Sequence, residues 1–199
     1  YLGSIMVPDL LNAGHKVTVL DNLSTGNVEN LRSAQQNPKL TLHRVDIAEM
    51  DDLPPLFAGI DWVFHLAALA DIVPSIQEPV KYHRANVDGT VAVLEAARKA
   101  NVKRFVYSAS SSCYGLPDHF PTPETAPARP MYPYALSKNI GEQYVMHWHQ
   151  VYQLPCVSLR LFNVYGPRAR TSGTYGAVFG VFMAQKLAGK PFTVVGDGT

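Results

Sequence analysis

Cysteine is scarce in this 199-residue chain, and the two that occur are far apart. Cys113 and Cys156 form no C-x-x-C pair and offer no partner pattern for zinc, which favours a reducing compartment and a role as small core residues. The seven histidines are scattered, and the one close pair, His147 and His149, stands two apart on a predicted helix and therefore points to different faces. The sequence predicts no metal site.

An excess of charge of one sign and long apolar runs are also missing. Seventeen basic and 16 acidic residues give a formal net charge of +1, so neither a phosphate-tracking surface nor a basic membrane face is indicated. No apolar run approaches the ~18 residues of a membrane span, and the N-terminus lacks the basic start and cleavage site of a signal peptide. We therefore expect a soluble cytoplasmic protein with no nucleic-acid and no membrane partner.

What the chain does have is a regular alternation of predicted strands and helices. The predicted helices cover residues 2–13, 80–100, 134–152 and 176–188, and the predicted strands cover 15–20, 40–45, 61–66, 104–108, 156–162 and 192–195. This alternation predicts an α/β fold, a doubly wound parallel sheet of the Rossmann type covered on both faces. The proline-rich stretch 116–133 is too long for a mere connector, and is either a lid or wall of a site or a surface excursion.

Both ends of the sequence predict an incomplete motif. Tyr1 directly precedes a helix without the strand expected before it, and Thr199 closes what reads as a turn. We expect a dinucleotide-binding domain over residues 1–162, with its N-terminal strand and first glycines missing. Residues 163–199 are expected to begin a truncated substrate-binding region.

Tyr134 and Lys138 stand one helical turn apart on the predicted helix 134–152. Residues i and i+4 lie on one face, about 6 Å apart along the axis, so both side chains can point into one cleft. A neighbouring cation stabilises a phenolate, so we expect Lys138 to lower the pKa of Tyr134 and let it act as a base. The same spacing is also common on solvated helix faces.

Two residues in the N-terminal part of the chain match the sequence pattern of a dinucleotide-binding site. Gly3 fits the third glycine of a G-x-x-G-x-x-G loop, where it allows close packing of helix against sheet. Asp21 follows eighteen residues later at the end of a predicted strand, where a carboxylate accepts hydrogen bonds from the adenosine ribose hydroxyls and repels a 2′-phosphate. This pattern predicts NAD rather than NADP, whereas the alternative interpretation of Asp21 is a strand-ending turn.

Other predicted strand ends carry compatible residues. Asp46 and Ile47 end the third strand and could serve the adenine, and the small residues Ala67 and Ala68 follow the fourth, where they let the backbone approach a ligand. Ligands of doubly wound sheets bind outside the carboxyl ends of the strands. These residues are therefore expected to meet in one crevice.

Taken together, these segments resemble the extended short-chain dehydrogenase/reductase family, and within it the nucleotide-sugar 4-epimerases of the UDP-glucose 4-epimerase type. The resemblance covers the whole chain and is carried by Tyr1-Leu2-Gly3, Asp21-Asn22-Leu23, Asp46-Ile47, His65-Leu66-Ala67-Ala68, Asn86-Val87-Asp88-Gly89-Thr90, residues 108–115, residues 134–138 and residues 161–168.

The resemblance implies a tightly held NAD and a catalytic set of Ser110, Tyr134 and Lys138. Tyr134 would abstract the proton of the sugar 4-hydroxyl, Lys138 would bind the nicotinamide ribose, and Ser110 would hydrogen-bond the reacting hydroxyl. Hydride transfer from C4 would give a 4-keto sugar, and its return to the other face would invert the configuration. The implied cofactor contacts are Tyr1, Leu2, Gly3, Asp21, Asn22, Ser24, Gly26, Asp46, Ile47, Leu66, Ala67, Ala68, Asn86, Tyr134, Lys138 and Phe162. The implied substrate contacts are Ser110, Ser111, Tyr134, Asn163 and Val178, the last through free N–H groups at a helix start.

Departures from the family pattern separate the possible reactions. Ser111 and Ser112 stand where the related dehydratases carry an acid pair, and Ser112 where the related decarboxylases carry a glutamate. Ala70 and Val178 replace a lysine and an asparagine of many UDP-galactose epimerases, which leaves the identity of the sugar open.

The chain is expected to act on a nucleotide sugar, with UDP favoured as the nucleotide. It is expected to form a homodimer through helices 80–100 and 134–152. The alternatives are a dehydratase or reductase of the same family, or a non-catalytic NAD-sensing scaffold.

Overall fold

Helices and parallel strands alternate along the protein, which is seen in a computed structural model that describes residues 1–49, 53–168 and 178–193. The helices are α1 (Leu2–Asn12), α2 (Ile72–Gln77), α3 (Pro79–His83), α4 (Gly89–Lys99), α5 (Pro133–Tyr152) and α6 (Val178–Leu187). The strands are β1 (Val17–Asp21), β2 (Leu40–Arg44), β3 (Trp62–His65), β4 (Arg104–Ser110) and β5 (Cys156–Leu161). Short 3₁₀ turns cover Val28–Leu31, Pro54–Phe57 and Ser111–Tyr114.

The strands of the described residues form two parallel sheets. One sheet has the order β1-β2, and the other has the order β3-β4-β5. All the strand pairs are parallel, as expected where helices make the crossovers. The structure therefore confirms the predicted parallel α/β class. Strands β1 and β3 of the described residues are not paired with each other, so the strands form two sheets rather than one.

The main core lies where β4 meets α4 and α5. Leu94 of α4, Phe105 and Tyr107 of β4, and Val145 of α5 are all fully buried. A smaller apolar cluster under β1 includes Val7 and Leu11 of α1. Because β4 is the central strand of its sheet and four of its seven side chains are buried, including those of Ala109 and Ser110, its carboxyl end is firmly packed.

Residues 79–99 contain two α-helices joined by a π-helical segment. Helix α3 is followed by the π segment Arg84–Asp88 and then by α4, so the predicted helix 80–100 is present with one wider turn. Single π turns of this kind are common at functional sites. Helix α2, which contains Pro74, was not predicted.

The described residues group into two units. Leu2–Phe162 form one, and Tyr1 with Asn163–Thr199 form the other; the functional domains assigned to residues 1–162 and 163–199 remain a prediction. In the second unit, α6 carries Gln185, whose side chain bonds Thr193. The predicted strand 192–195 is not formed by its described residues, Phe192 and Thr193, and its last two residues lie outside the described part. Within the described ranges, no helix is long and apolar enough to cross a membrane.

Candidate active site

Ser110 and Tyr134 meet at the carboxyl end of β4. Ser110 ends the strand, and its Oγ accepts a hydrogen bond from the N–H of Ser112 at 3.2 Å, which caps the following 3₁₀ turn. Its side chain also lies near enough to that of Tyr134 to lower the pKa of the phenol, and Tyr134 stands in the first turn of α5 behind Pro133. A proline fits that position because its missing N–H has no helical partner. The structure thus brings these two predicted catalytic residues together.

Lys138 lies one turn further along α5 and is 4% exposed. Its Nζ is 4.4 Å from the centre of the Tyr107 ring, and the same ring stacks on His65 with 5.7 Å between centroids. Burial lowers the pKa of Lys138 to about 7, against a smaller opposing effect of Glu142. Burial, followed by the charge of Lys138, lowers the pKa of His65 to about 3, so that imidazole is neutral near pH 7.

The predicted tuning of Tyr134 is wrong for the protein by itself. Burial raises the pKa of Tyr134; the nearby Ser110 side chain opposes this effect, and the charge of Asp71 adds to it. Burial is the largest of these effects, and the Lys138 ammonium lies against the ring of Tyr107, 4.4 Å from its centre. Tyr134 is therefore a neutral phenol until further positive charge reaches it.

Asn86, in the π segment, ties three parts of the site together. Its Oδ1 accepts from the N–H of Leu69 at 2.8 Å, and its Nδ2 donates to the Leu69 carbonyl at 3.0 Å and to Ser137 Oγ at 2.9 Å. Ser137 in turn donates to the carbonyl of Tyr134 at 2.8 Å. The Asn86 side chain, 1% exposed, therefore braces the site, and its implied contact with the cofactor remains a prediction.

A second group of polar residues lies at the carboxyl ends of β1 and β2. Asn22 donates to Asp46 at 2.9 Å, and Asp21 Oδ1 accepts from the N–H of Leu23 at 2.7 Å. The other Asp21 oxygen faces Gly26, where an added Cβ would lie 2.9 Å away. Glycine thus leaves this carboxylate open to approach, and its acceptor oxygens suit the ribose hydroxyls of a dinucleotide. Ser24 is exposed beside this group, and its N–H is bonded to Asn22.

The remaining predicted contacts of the large unit are placed as follows. Gly3 faces Leu66, since an added Cβ would lie 3.6 Å from its Cδ1, and Gly89 closely faces Ile47. Beyond β3, Ala67 is exposed and Ala68 half-buried, while Leu2 and Ser111 are half-buried and Phe162 is 61% exposed.

Three predicted residues belong to the smaller unit. Tyr1 is half-buried, Asn163 is exposed, and Val178 begins α6. Their contacts with cofactor and substrate remain predictions.

Sequence reasoning missed several residues around the site. Asp71, just before α2, acts electrostatically on Tyr134, and nothing in its sequence context indicates this. Glu142 could have been found, because it stands four residues after Lys138 on α5. Its carboxylate accepts two hydrogen bonds from Arg160, at 3.0 and 3.1 Å. Arg160 also lies over the Tyr114 ring, 4.8 Å from its centre.

A parallel α/β unit with polar side chains at the carboxyl ends of its strands is the arrangement of a nucleotide-binding protein. The family model of the NAD dependent epimerase/dehydratase family matches residues 1–199, and the chain belongs to that family. It is 40% identical over 202 residues to the UDP-glucose 4-epimerase of Mycolicibacterium smegmatis, covering all of this chain and 64% of that protein.

Two solved structures resemble the chain over its whole length. One is a UDP-N-acetylglucosamine 4-epimerase from Methanobrevibacter ruminantium in complex with UDP-N-acetylmuramic acid, with a TM-score of 0.95 and 37% identity, and the chain covers 63% of it. The other is the UDP-glucose 4-epimerase of Thermotoga maritima with UDP-glucose, with a TM-score of 0.92, 35% identity and the same 63% coverage. The chain thus spans just under two thirds of the length of these relatives, and they bear out both the family resemblance and the Rossmann-type fold.

Proposed function

We propose that this protein is an NAD-dependent epimerase that inverts C4 of a nucleotide sugar, with a UDP-sugar as the substrate. The observation that carries the proposal is the meeting of Ser110 and Tyr134 at the carboxyl end of β4, one turn before the buried Lys138. The similarity to UDP-sugar 4-epimerases over the whole chain supports the same reaction.

In this proposal the chain's own residues bind the substrate and move one proton. Tyr134 Oη takes the proton of the sugar 4-hydroxyl, and Ser110 hydrogen-bonds that hydroxyl and the phenol together. Bound NAD supplies a hydride acceptor and donor and a positive nicotinamide ring. Asp21 would hold its adenosine ribose, and Lys138 its nicotinamide ribose. Because Tyr134 is a neutral phenol in the protein alone, its basic form depends on positive charge brought beside it.

The test is turnover by the full-length protein without added NAD. UDP-glucose, UDP-N-acetylglucosamine and UDP-glucuronate are incubated separately, and NMR detects the C4 epimer. Tyr134→Phe is expected to reduce turnover about 10²- to 10⁴-fold, whereas Tyr144→Phe, a matched change at a half-exposed tyrosine of the same helix, leaves it unchanged. Absence of an epimer from all three sugars would refute the proposed substrates, and a Tyr134→Phe enzyme of normal rate would refute the mechanism.

Dehydration or decarboxylation is less well supported by the residues at the end of β4. Ser111 and Ser112 lie in the 3₁₀ turn that follows Ser110, and neither carries the carboxyl group that those reactions use. The same NMR experiment distinguishes them, because loss of water gives a 4-keto-6-deoxy sugar and loss of carbon dioxide gives a pentose, and neither has the spectrum of a C4 epimer. A protein that binds NAD but turns over no sugar would fit a sensing scaffold.

We also propose a homodimer formed through the face of α3 and α5. A groove of about 520 Å³ between these helices is lined by apolar residues that include Val80, Leu136 and Ile140, and Val80 is 79% exposed. Apolar patches of this kind are typical of interfaces. Leu136→Glu should convert a dimer to a monomer in light scattering, whereas Leu116→Glu, at an exposed loop residue, should not. A monomeric wild type would contradict the proposal.

The proposed location is the cytoplasm. The thiols of Cys113 and Cys156 are free, which fits a reducing compartment.

A further inference from the structure

Lys138 is a buried cation that lacks an ion-pair partner within the described ranges. The side chain is 4% exposed, and no carboxylate of the described residues lies within 4 Å of its Nζ. Glu142, the acidic residue one turn away, has its oxygens bonded to Arg160. A buried ammonium without a counter-ion is costly, so another group must hold it.

The face of the Tyr107 ring is in the right position to do so. Lys138 Nζ lies 4.4 Å from the ring centre, within the ~6 Å range in which the negative face of an aromatic ring attracts a cation. The Tyr107 hydroxyl also donates to the carbonyl of Lys138 at 3.3 Å. One side chain of β4 therefore contacts both the backbone and the charged end of the lysine.

The ring itself is held in place by its neighbours. His65 of β3, which pairs with Tyr107 in the parallel sheet, stacks on it with an interplanar angle of 29°. On the α5 side, a Cβ added at Gly141 would overlap the Tyr107 hydroxyl, so the glycine makes room for that oxygen. Tyr107 is 0% exposed. A ring fixed in this way can fix the ammonium that rests on it.

We propose that Tyr107 is a positioning residue of the active site, whose ring face holds the Lys138 ammonium in place beside the cofactor crevice. The inference rests on the proposed function for its role in turnover, but the contact itself exists in the protein without ligands. The groups that face the ammonium are Tyr107 on β4, the neutral His65 on β3, and Glu142 on its own helix. The first of these is uncharged, and it acts through its ring.

The experiment compares two rings of nearly the same shape whose faces differ in electron density. Tyr107 of the full-length, nucleotide-free protein is replaced by phenylalanine or by pentafluorophenylalanine, whose fluorine atoms withdraw the negative charge from the ring face. The pKa of Lys138 is then measured from its Cε resonance in protein labelled with ¹³Cε-lysine, which is assigned by its loss in Lys138→Met. Phe105→Leu is the matched control, because Phe105 is equally buried on the same strand and also contacts His65.

Phenylalanine is expected to leave the Lys138 pKa near its wild-type value, and pentafluorophenylalanine to lower it by about 0.5 to 1.5 pH units. The control should leave it unchanged. Tyr107→Leu is the third variant, and it is also expected to lower the pKa of Lys138. Equal pKa values in the phenylalanine and pentafluorophenylalanine proteins would overturn the proposal, as would an equal decrease in Phe105→Leu.

The kinetic consequence is measured separately. If the protein is an epimerase, the pentafluorophenylalanine variant should lose kcat several-fold, with the sugar KM unchanged, because Lys138 does not contact the sugar in the proposed mechanism. Failure to detect any epimerase activity in the wild type would refute the proposed function, whereas the titration would still decide the role of Tyr107.

Discussion

Replacing Lys138 by methionine should stabilise the nucleotide-free protein. Methionine fills a similar volume without the charge, and the lysine is nearly fully buried with a pKa of about 7, compared with 10.5 for a free side chain. At pH 7 the unfolded chain therefore binds more protons at this position than the folded one. From these two pKa values, we expect burial of the cation to cost about 4 kcal/mol at pH 7.

The sign of the pH dependence follows from the same values. Between pH 7 and 10.5, unfolding takes up a proton at Lys138, so the stability of the wild type should rise with pH, by about 2 kcal/mol from pH 7 to 9. Below pH 7 both states are protonated, and the penalty is constant. Lys138→Met removes this contribution, so the free energy difference between variant and wild type should shrink as the pH rises.

The assay is urea unfolding at several pH values in the nucleotide-free full-length protein. Taking the difference between the two proteins cancels other titrating groups, such as Cys156, whose pKa burial raises to about 11. Lys103→Met is the control, because Lys103 is exposed and paired with Asp61. This change should leave the free energy of unfolding with the same dependence on pH as in the wild type. A Lys138→Met protein that is less stable at pH 7, or a difference independent of pH, would refute the reasoning.

Two further changes test the contacts around the site. Asn86→Ala should lower the free energy of unfolding by about 2 to 4 kcal/mol, because it removes three hydrogen bonds that this buried side chain makes to Leu69 and Ser137; urea unfolding measures this, and a loss below about 1 kcal/mol would contradict it. Gly141→Ala should cost about 1 to 3 kcal/mol through overpacking against the Tyr107 hydroxyl, and Tyr107→Phe should recover part of that loss in a double-mutant cycle, whereas purely additive effects would contradict the contact.

The parallel strands and the long helix α5 could be predicted from the sequence because each is a regular pattern bounded by turn residues. Helix α2 could not, since it is short and contains Pro74. The π segment could not be predicted either, because an extra residue in one turn leaves the apolar pattern helical on both sides.

The sequence predicted which residues lie in the candidate site better than it predicted their pKa values. The spacing of Tyr134 and Lys138 correctly places both on one helix, and the effect of Ser110 on the Tyr134 pKa shows that these two side chains lie near each other. The direction of the Tyr134 pKa was wrong because it depends on burial and on Asp71, which stands far away in the sequence. The roles of the predicted residues in binding and catalysis remain predictions.

The wider turn at Arg84–Asp88 holds one residue more than an ordinary α-helical turn. A deletion of one residue there would convert it to an α turn, with the two flanking helices kept close to their present directions. The residues inside the turn would move most, among them Asn86, whose carbonyl accepts a hydrogen bond from Thr90 Oγ1 at 2.6 Å. The number of residues in this turn therefore governs where the bracing amide lies more than where α4 points.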